Sequence, residues 1–226
     1  MKENQGMPRL ILAGEHTLLS FDTIAELIAG IVALLIVLAA IRYGRLAKDK
    51  RYNALGAGFF FLFLSFAAEW VTTSILWWQF HQGCCLQDTV ALVPILLAGH
   101  AAEHLCFVTG MLVLVLWALH IKEPLQRLLV IVLGIFIAVL GIWSEPTGNL
   151  LAMILLAFVT VKYLFNAALQ ESAAAWEVFT AFALLTISQL AFLLAPLGME
   201  WYIGGHVVQL LGYCILLFVL LQVIRK

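Results

Sequence analysis

The sequence predicts an all-α integral membrane protein, a single bundle of seven transmembrane helices with its N-terminus outside and its C-terminus cytoplasmic. Three observations predict it. Of the 226 residues, 64% are hydrophobic and only 11% charged, and the mean hydropathy is +1.06. A soluble domain is about half apolar and a quarter charged. The apolar stretches are long and unbroken, which in lipid means helices rather than the short alternating strands of a barrel. Lysine and arginine also fall on alternate connections, as seven crossings require.

The spans are read at about 21–43, 54–79, 89–119, 125–143, 149–169, 174–195 and 201–224. Each is near the ~20 residues that cross a hydrocarbon core. The third is long enough to tilt or project. Short connections carry turn residues: Gly83, Lys122-Glu123-Pro124, Glu145-Pro146-Thr147-Gly148 and Pro196-Leu197-Gly198. Residues 1–226 therefore form one domain. The apolar run Leu10–Ala13 is too short for the core of a signal peptide, so the first span is expected to direct insertion itself.

Orientation follows from the basic residues. Arg42, Arg45, Lys48, Lys50 and Arg51 occupy the first connection, Lys122 and Arg127 the third, Arg225 and Lys226 the C-terminus. Segments 80–88, 144–148 and 196–200 hold none. Lys2 and Arg9 are the contrary charges in the N-terminal tail. The basic side is expected to be cytoplasmic, and a prokaryotic inner membrane suits so economical a chain. Trp77, Trp78, Phe80, Trp143, Trp176, Trp201 and Tyr202 sit near span ends and read as an interfacial belt. With a net charge of −1 and no large basic block, the partners implied are the lipid bilayer and another protein, not nucleic acid.

Ionisable groups inside spans cost about 2.5–3.5 kcal/mol at the bilayer centre, so each one needs a reason. They are Glu26 in span one, Glu69 in span two, His100, Glu103 and His104 in span three, Lys162 in span five and His206 in span seven. Gln189 and Gln209 join them. All but Lys162 fall in the outer half when the spans alternate in direction, so one polar cavity is expected there. Lys162 reads as snorkelling to the inner boundary. Span seven has no lysine for a retinal Schiff base, which argues against a rhodopsin.

The sharpest pattern is His100-Ala101-Ala102-Glu103-His104. Positions i, i+3 and i+4 share a helix face. Two imidazoles and a carboxylate there can hold zinc or iron, and Glu69, Glu26 and His206 are the further candidate ligands. The spelling His-x-x-Glu-His also occurs in inverted zinc-peptidase helices. Gly204-Gly205 before His206 permits close helix approach. His100 or His104 opposite His206 could instead clamp a b-type haem. The same groups could also hydrogen-bond between helices and fix the bundle. Cys84-Cys85 could be a vicinal disulfide, two thiols or an intermolecular link. Cys106 and Cys214 read as apolar filler.

The layout resembles the seven-helix membrane-associated sensor domains that precede histidine kinases in bacteria and archaea. The resemblance rests on Glu26 early in span one, the basic first connection ending Arg51-Tyr52-Asn53, and the last span from Gly205-His206-Val207-Val208-Gln209 to Tyr213. It implies sensing of a small ligand, metal or redox state in signal transduction. Because the chain stops at Lys226, such a sensor is expected to act through a separate partner. The seven-helix zinc hydrolases, alkaline ceramidases and adiponectin-receptor-like proteins, are similar in gathering His and acidic residues. They carry a His-x-x-x-His pair in the last span, where this chain has only His206. A binding module is therefore favoured over a haem electron-transfer subunit, a metal-dependent enzyme or a structural accessory subunit.

Overall fold

The computed structural model describes residues 15–48, 51–81, 89–119 and 123–225. Among them it is all-helical: α1 (Glu15–Ala47), α2 (Arg51–His81), α3 (Thr89–Leu119), α4 (Pro124–Trp143), α5 (Glu145–Gln170), α6 (Ala173–Leu194) and α7 (Met199–Arg225), with a 3₁₀ turn at Ala195–Leu197. All seven helices are long and apolar enough to cross a membrane. The chain is thus a multi-pass membrane protein. Lys2, Arg9, Lys50, Gly83, Cys84, Cys85, Lys122 and Lys226 lie outside the described residues.

Local chemistry sets the breaks. Pro124 and Pro146 stand in the first turns of α4 and α5, where the missing N–H costs nothing. Glu171 closes α5 in the left-handed region at φ 50°, and the Ser172 hydroxyl caps α6 by accepting from the Ala175 N–H at 3.3 Å. One expectation needs correction. Residues 145–148 form the first turn of α5 rather than a loop, so the α4–α5 corner is a single extended residue, Ser144 at φ −153°.

Successive helices pack side by side, and α1 closes the ring against α7. The exception is α4, which sits outside in the groove between α3 and α5 while those two touch directly. On α1, Ala29, Ala33, Ile36 and Ala40 are buried, whereas Ile24, Ile31, Leu35 and Leu38 are exposed on the opposite face. In lipid that exposure carries no penalty. The core runs through Phe59, Leu62, Leu114, Leu156, Val159, Phe182 and Tyr213.

Small residues set the spacing of α2 and α3. A Cβ on Gly110 would meet the Gly58 carbonyl oxygen at 2.8 Å. This is the close backbone approach that membrane helix pairs use. Of the two glycines before His206, only Gly205 is crowded, its Cβ position lying 2.6 Å from Phe192, while Gly204 has nothing within 4 Å. Gly110→Ala should therefore lose about 1–3 kcal/mol, because no rotamer relieves a backbone clash. Gly204→Ala should be neutral or gain up to about 1 kcal/mol. Denaturant unfolding of both variants in the same detergent, followed by helical circular dichroism, checks the contrast.

Candidate metal centre

The site lies toward the side of the bundle where α2 finishes and α3 begins, with His104 at the middle of α3. Helical spacing puts His100, Glu103 and His104 on one face of α3, and the structure confirms that they meet. The His100 Nδ1–H donates to Glu103 Oε2 at 3.2 Å, and His104 Nδ1 is 3.7 Å from Glu103 Oε1. The two rings lie 4.9 Å apart, and one ligand atom from each of the three residues fits within 4.8 Å. Ligands at about 2.0–2.2 Å around a tetrahedral ion stand roughly 3.3 Å apart. The two His–Glu separations are near that edge length, but they use different carboxylate oxygens and the trio as a whole spans up to 4.8 Å, so the side chains would have to draw together around an ion.

A cavity of about 90 Å³ opens beside them. Five helices contribute to it: α2 with Ser65 and Glu69, α3 with Glu103 and His104, α5 with Asn149, α6 with Gln189, α7 with His206 and Gln209. Of the groups expected to share one polar cavity, Glu69, Glu103, His104 and His206 line this one, and His100 does not. His100 borders a neighbouring cavity between α2 and α3, and Glu69 and Glu103 line both. A water takes about 30 Å³ in the liquid, so the five-helix cavity has room for a few waters or a hydrated ion.

Glu26 stands apart. It is 1% exposed and lines a different, apolar cavity with Leu27, Phe63 and Trp70. Phe66 borders both that cavity and the polar one. His206 sits among aromatic rings: Tyr202 at 4.7 Å, Phe192 at 4.9 Å and Phe21 at 6.1 Å. Lys162 is exposed on α5, away from the cluster. Cys214 is exposed and Cys106 half-buried, so neither is core filler.

No protein family, curated protein or solved structure matches this chain. The cluster has to be judged on its own chemistry, and His104 is the most informative member. Its residue is 6% exposed, and its Nδ1 is buried without a hydrogen-bond partner. Its far edge is held in a notch of two glycines. A Cβ on Gly141 of α4 would lie 2.5 Å from His104 Nε2, and one on Gly148 of α5 2.7 Å from it. The ring is thus fixed with Nδ1 toward Glu103. Across the cavity, Gln189 Oε1 is likewise buried with no partner.

Several of these residues escaped sequence reading. Gly141 lay unremarked inside a span, and Gly148 and Asn149 fell at an assigned loop and span boundary. Tyr202 was placed in the interfacial belt, yet it lines the cavity; its i, i+4 relation to His206 was the available signal. The notch has a testable consequence. Gly148→Ala should push the His104 ring from its slot and make it reactive to diethyl pyrocarbonate. In the wild type, His100 should be modified and His104 protected, as peptide mass spectrometry would resolve.

Proposed function

We propose that this protein is a membrane binding module that holds one divalent ion of the zinc or ferrous class on His100, Glu103 and His104. The observation that carries the reading is His104 Nδ1, buried without a hydrogen-bond partner at 3.7 Å from the Glu103 carboxylate. A buried polar atom left unpaired costs about 1–3 kcal/mol. A metal bond to Nδ1 would remove that cost. Two imidazoles and a carboxylate form the donor set of an open zinc site, and Glu69 from α2 faces the same cavity. The alternation of basic connections supports an extracytoplasmic site with the C-terminus in the cytoplasm. Together with the sensor-like layout, this favours reporting ion occupancy to a protein partner.

The same geometry weighs against a haem. The cavity takes a hydrated ion rather than a macrocycle. His104 Nε2, the nitrogen left for an iron on its other side, faces two glycine backbones. A purely structural role fits less well too, because His104 Nδ1 and Gln189 Oε1 lack partners beside the same cavity.

Protein purified without chelator and dialysed against zinc should carry about one ion per chain by elemental analysis. The double variant His100→Ala/His104→Ala should carry none while keeping its helical circular dichroism. Glu69→Gln should keep the ion but bind it about 10-fold more weakly, as outer partners typically do. Equal metal content in wild type and double variant would sink the proposal.

A further inference from the structure

Exposure falls in one direction across the three residues of the candidate centre. The His100 side chain is 37% exposed, that of Glu103 20% and that of His104 8%. The far edge of His104 is closed by the Gly141–Gly148 notch. An ion arriving from water therefore meets His100 first and His104 last.

The cavity that His100 borders, between α2 and α3, has a volume of about 260 Å³. A water takes about 30 Å³ in the liquid, so a hydrated ion fits. Five of its seven lining residues are polar: Glu69, Thr72, Thr73, His100 and Glu103. Polar groups within spans face the bundle interior or a water-filled space. The Thr72 hydroxyl donates to the Ala68 carbonyl at 2.8 Å. A hydroxyl that has donated keeps its acceptor lone pairs, which suit the outward-pointing protons of a cation's water shell. Gly99 leaves room for that hydroxyl, because a Cβ there would run into it.

Glu69 and Glu103 line both this cavity and the five-helix one. The two apolar cavities offer no such passage. The one beside Glu26 meets the five-helix cavity at Phe66 alone, and the one beside Trp117, at the other end of the bundle, shares no lining residue with it. Stripping water from an ion costs several kcal/mol unless other ligands replace it. The two carboxylates supply oxygen along the whole step from one cavity to the next.

We propose that the divalent ion enters and leaves its centre through the α2–α3 cavity, meeting His100 first and passing along Glu69 and Glu103 to His104. This inference rests on the metal reading and adds the route. A route differs from a ligand in its kinetics: narrowing it slows uptake and release by the same factor and leaves the affinity alone.

Zinc-loaded full chain in nanodiscs would be mixed with excess chromogenic chelator, whose absorbance reads release, and Kd would come from equilibrium dialysis against zinc. Leu96→Trp fills the α2–α3 cavity and should slow release about tenfold or more with Kd within about twofold of wild type, the mark of a raised barrier. Thr73→Phe serves if that variant does not fold. Leu216→Trp, in the cavity beside Trp117, should release zinc at the wild-type rate. Wild-type release from a folded, filled α2–α3 cavity would overturn the route, as would slow release matched by an equal fall in Kd, or slowing by Leu216→Trp. A wild type that takes up no zinc would overturn the metal reading itself, and the route with it.

Discussion

Lipid offers no hydrogen-bond partner, and that constraint decides where every polar side chain in this bundle can go. Backbone groups answer it by forming helices. Side chains can answer it only by turning inward together. A carboxylate or imidazole stranded at mid-bilayer costs about 2.5–3.5 kcal/mol, and this chain carries several. Most of them are accommodated because α2, α3, α5, α6 and α7 present polar groups to one cavity, while His100 borders a neighbouring cavity and Glu26 a separate one. The ring of helices closed by α1 against α7 encloses that polar space. The outer faces are free to be as apolar as lipid.

The position of α4 makes sense in the same terms. It contributes little to the ring, and most of its large side chains are exposed. What it gives the interior is a glycine face seven residues apart: Gly134 receives Leu112 and Gly141 receives His104. With Gly148 from α5, Gly141 removes the side chains that would otherwise occupy the space of the His104 ring. The single-residue corner at Ser144 brings Gly141 and Gly148 together; a Cβ on Gly148 would lie 3.3 Å from the Gly141 Cα. A longer loop would let the two helix ends separate and open the notch. The tight corner and the fixed imidazole are one feature of the fold.

Span number and the polar depth layer were legible in the sequence because both are one-dimensional. Continuous apolar length marks a crossing, and position along a crossing marks depth. The His100–Glu103–His104 cluster was legible because it is local to one helix turn. Relations around the helix axes were not. Nothing in the local sequence separates Glu26 from Glu69, since both are single acids in apolar helices. Only packing shows that Phe66 lies on the boundary between the cavities they line. Tyr202 looked like a belt aromatic because depth alone cannot tell a ring facing lipid from one facing inward. Pro146 and Gly148 read as loop residues, yet proline suits a first helical turn and this glycine serves packing.

The layer between the polar cavity and the one beside Trp117 shows a choice that filling space does not explain. Elsewhere in it leucines suffice, as at Leu62 and Leu114. At its centre is Tyr213, fully buried, whose edge contacts reach Phe66 and Phe59 at 5.9 Å each. Phe66 lines the polar cavity, and Phe59 lines the cavity of about 260 Å³ at the other end of the bundle, beside Trp117 and Tyr163. A buried tyrosine hydroxyl needs a partner, and Tyr213 accepts from Gln209 Nε2 at 3.4 Å. That is long beside the usual ~2.9–3.0 Å for such a bond. Gln209 itself lines the polar cavity, so its amide serves both the site and the partition. A leucine at 213 would fill the layer without tying either cavity to it; the tyrosine touches the walls of both.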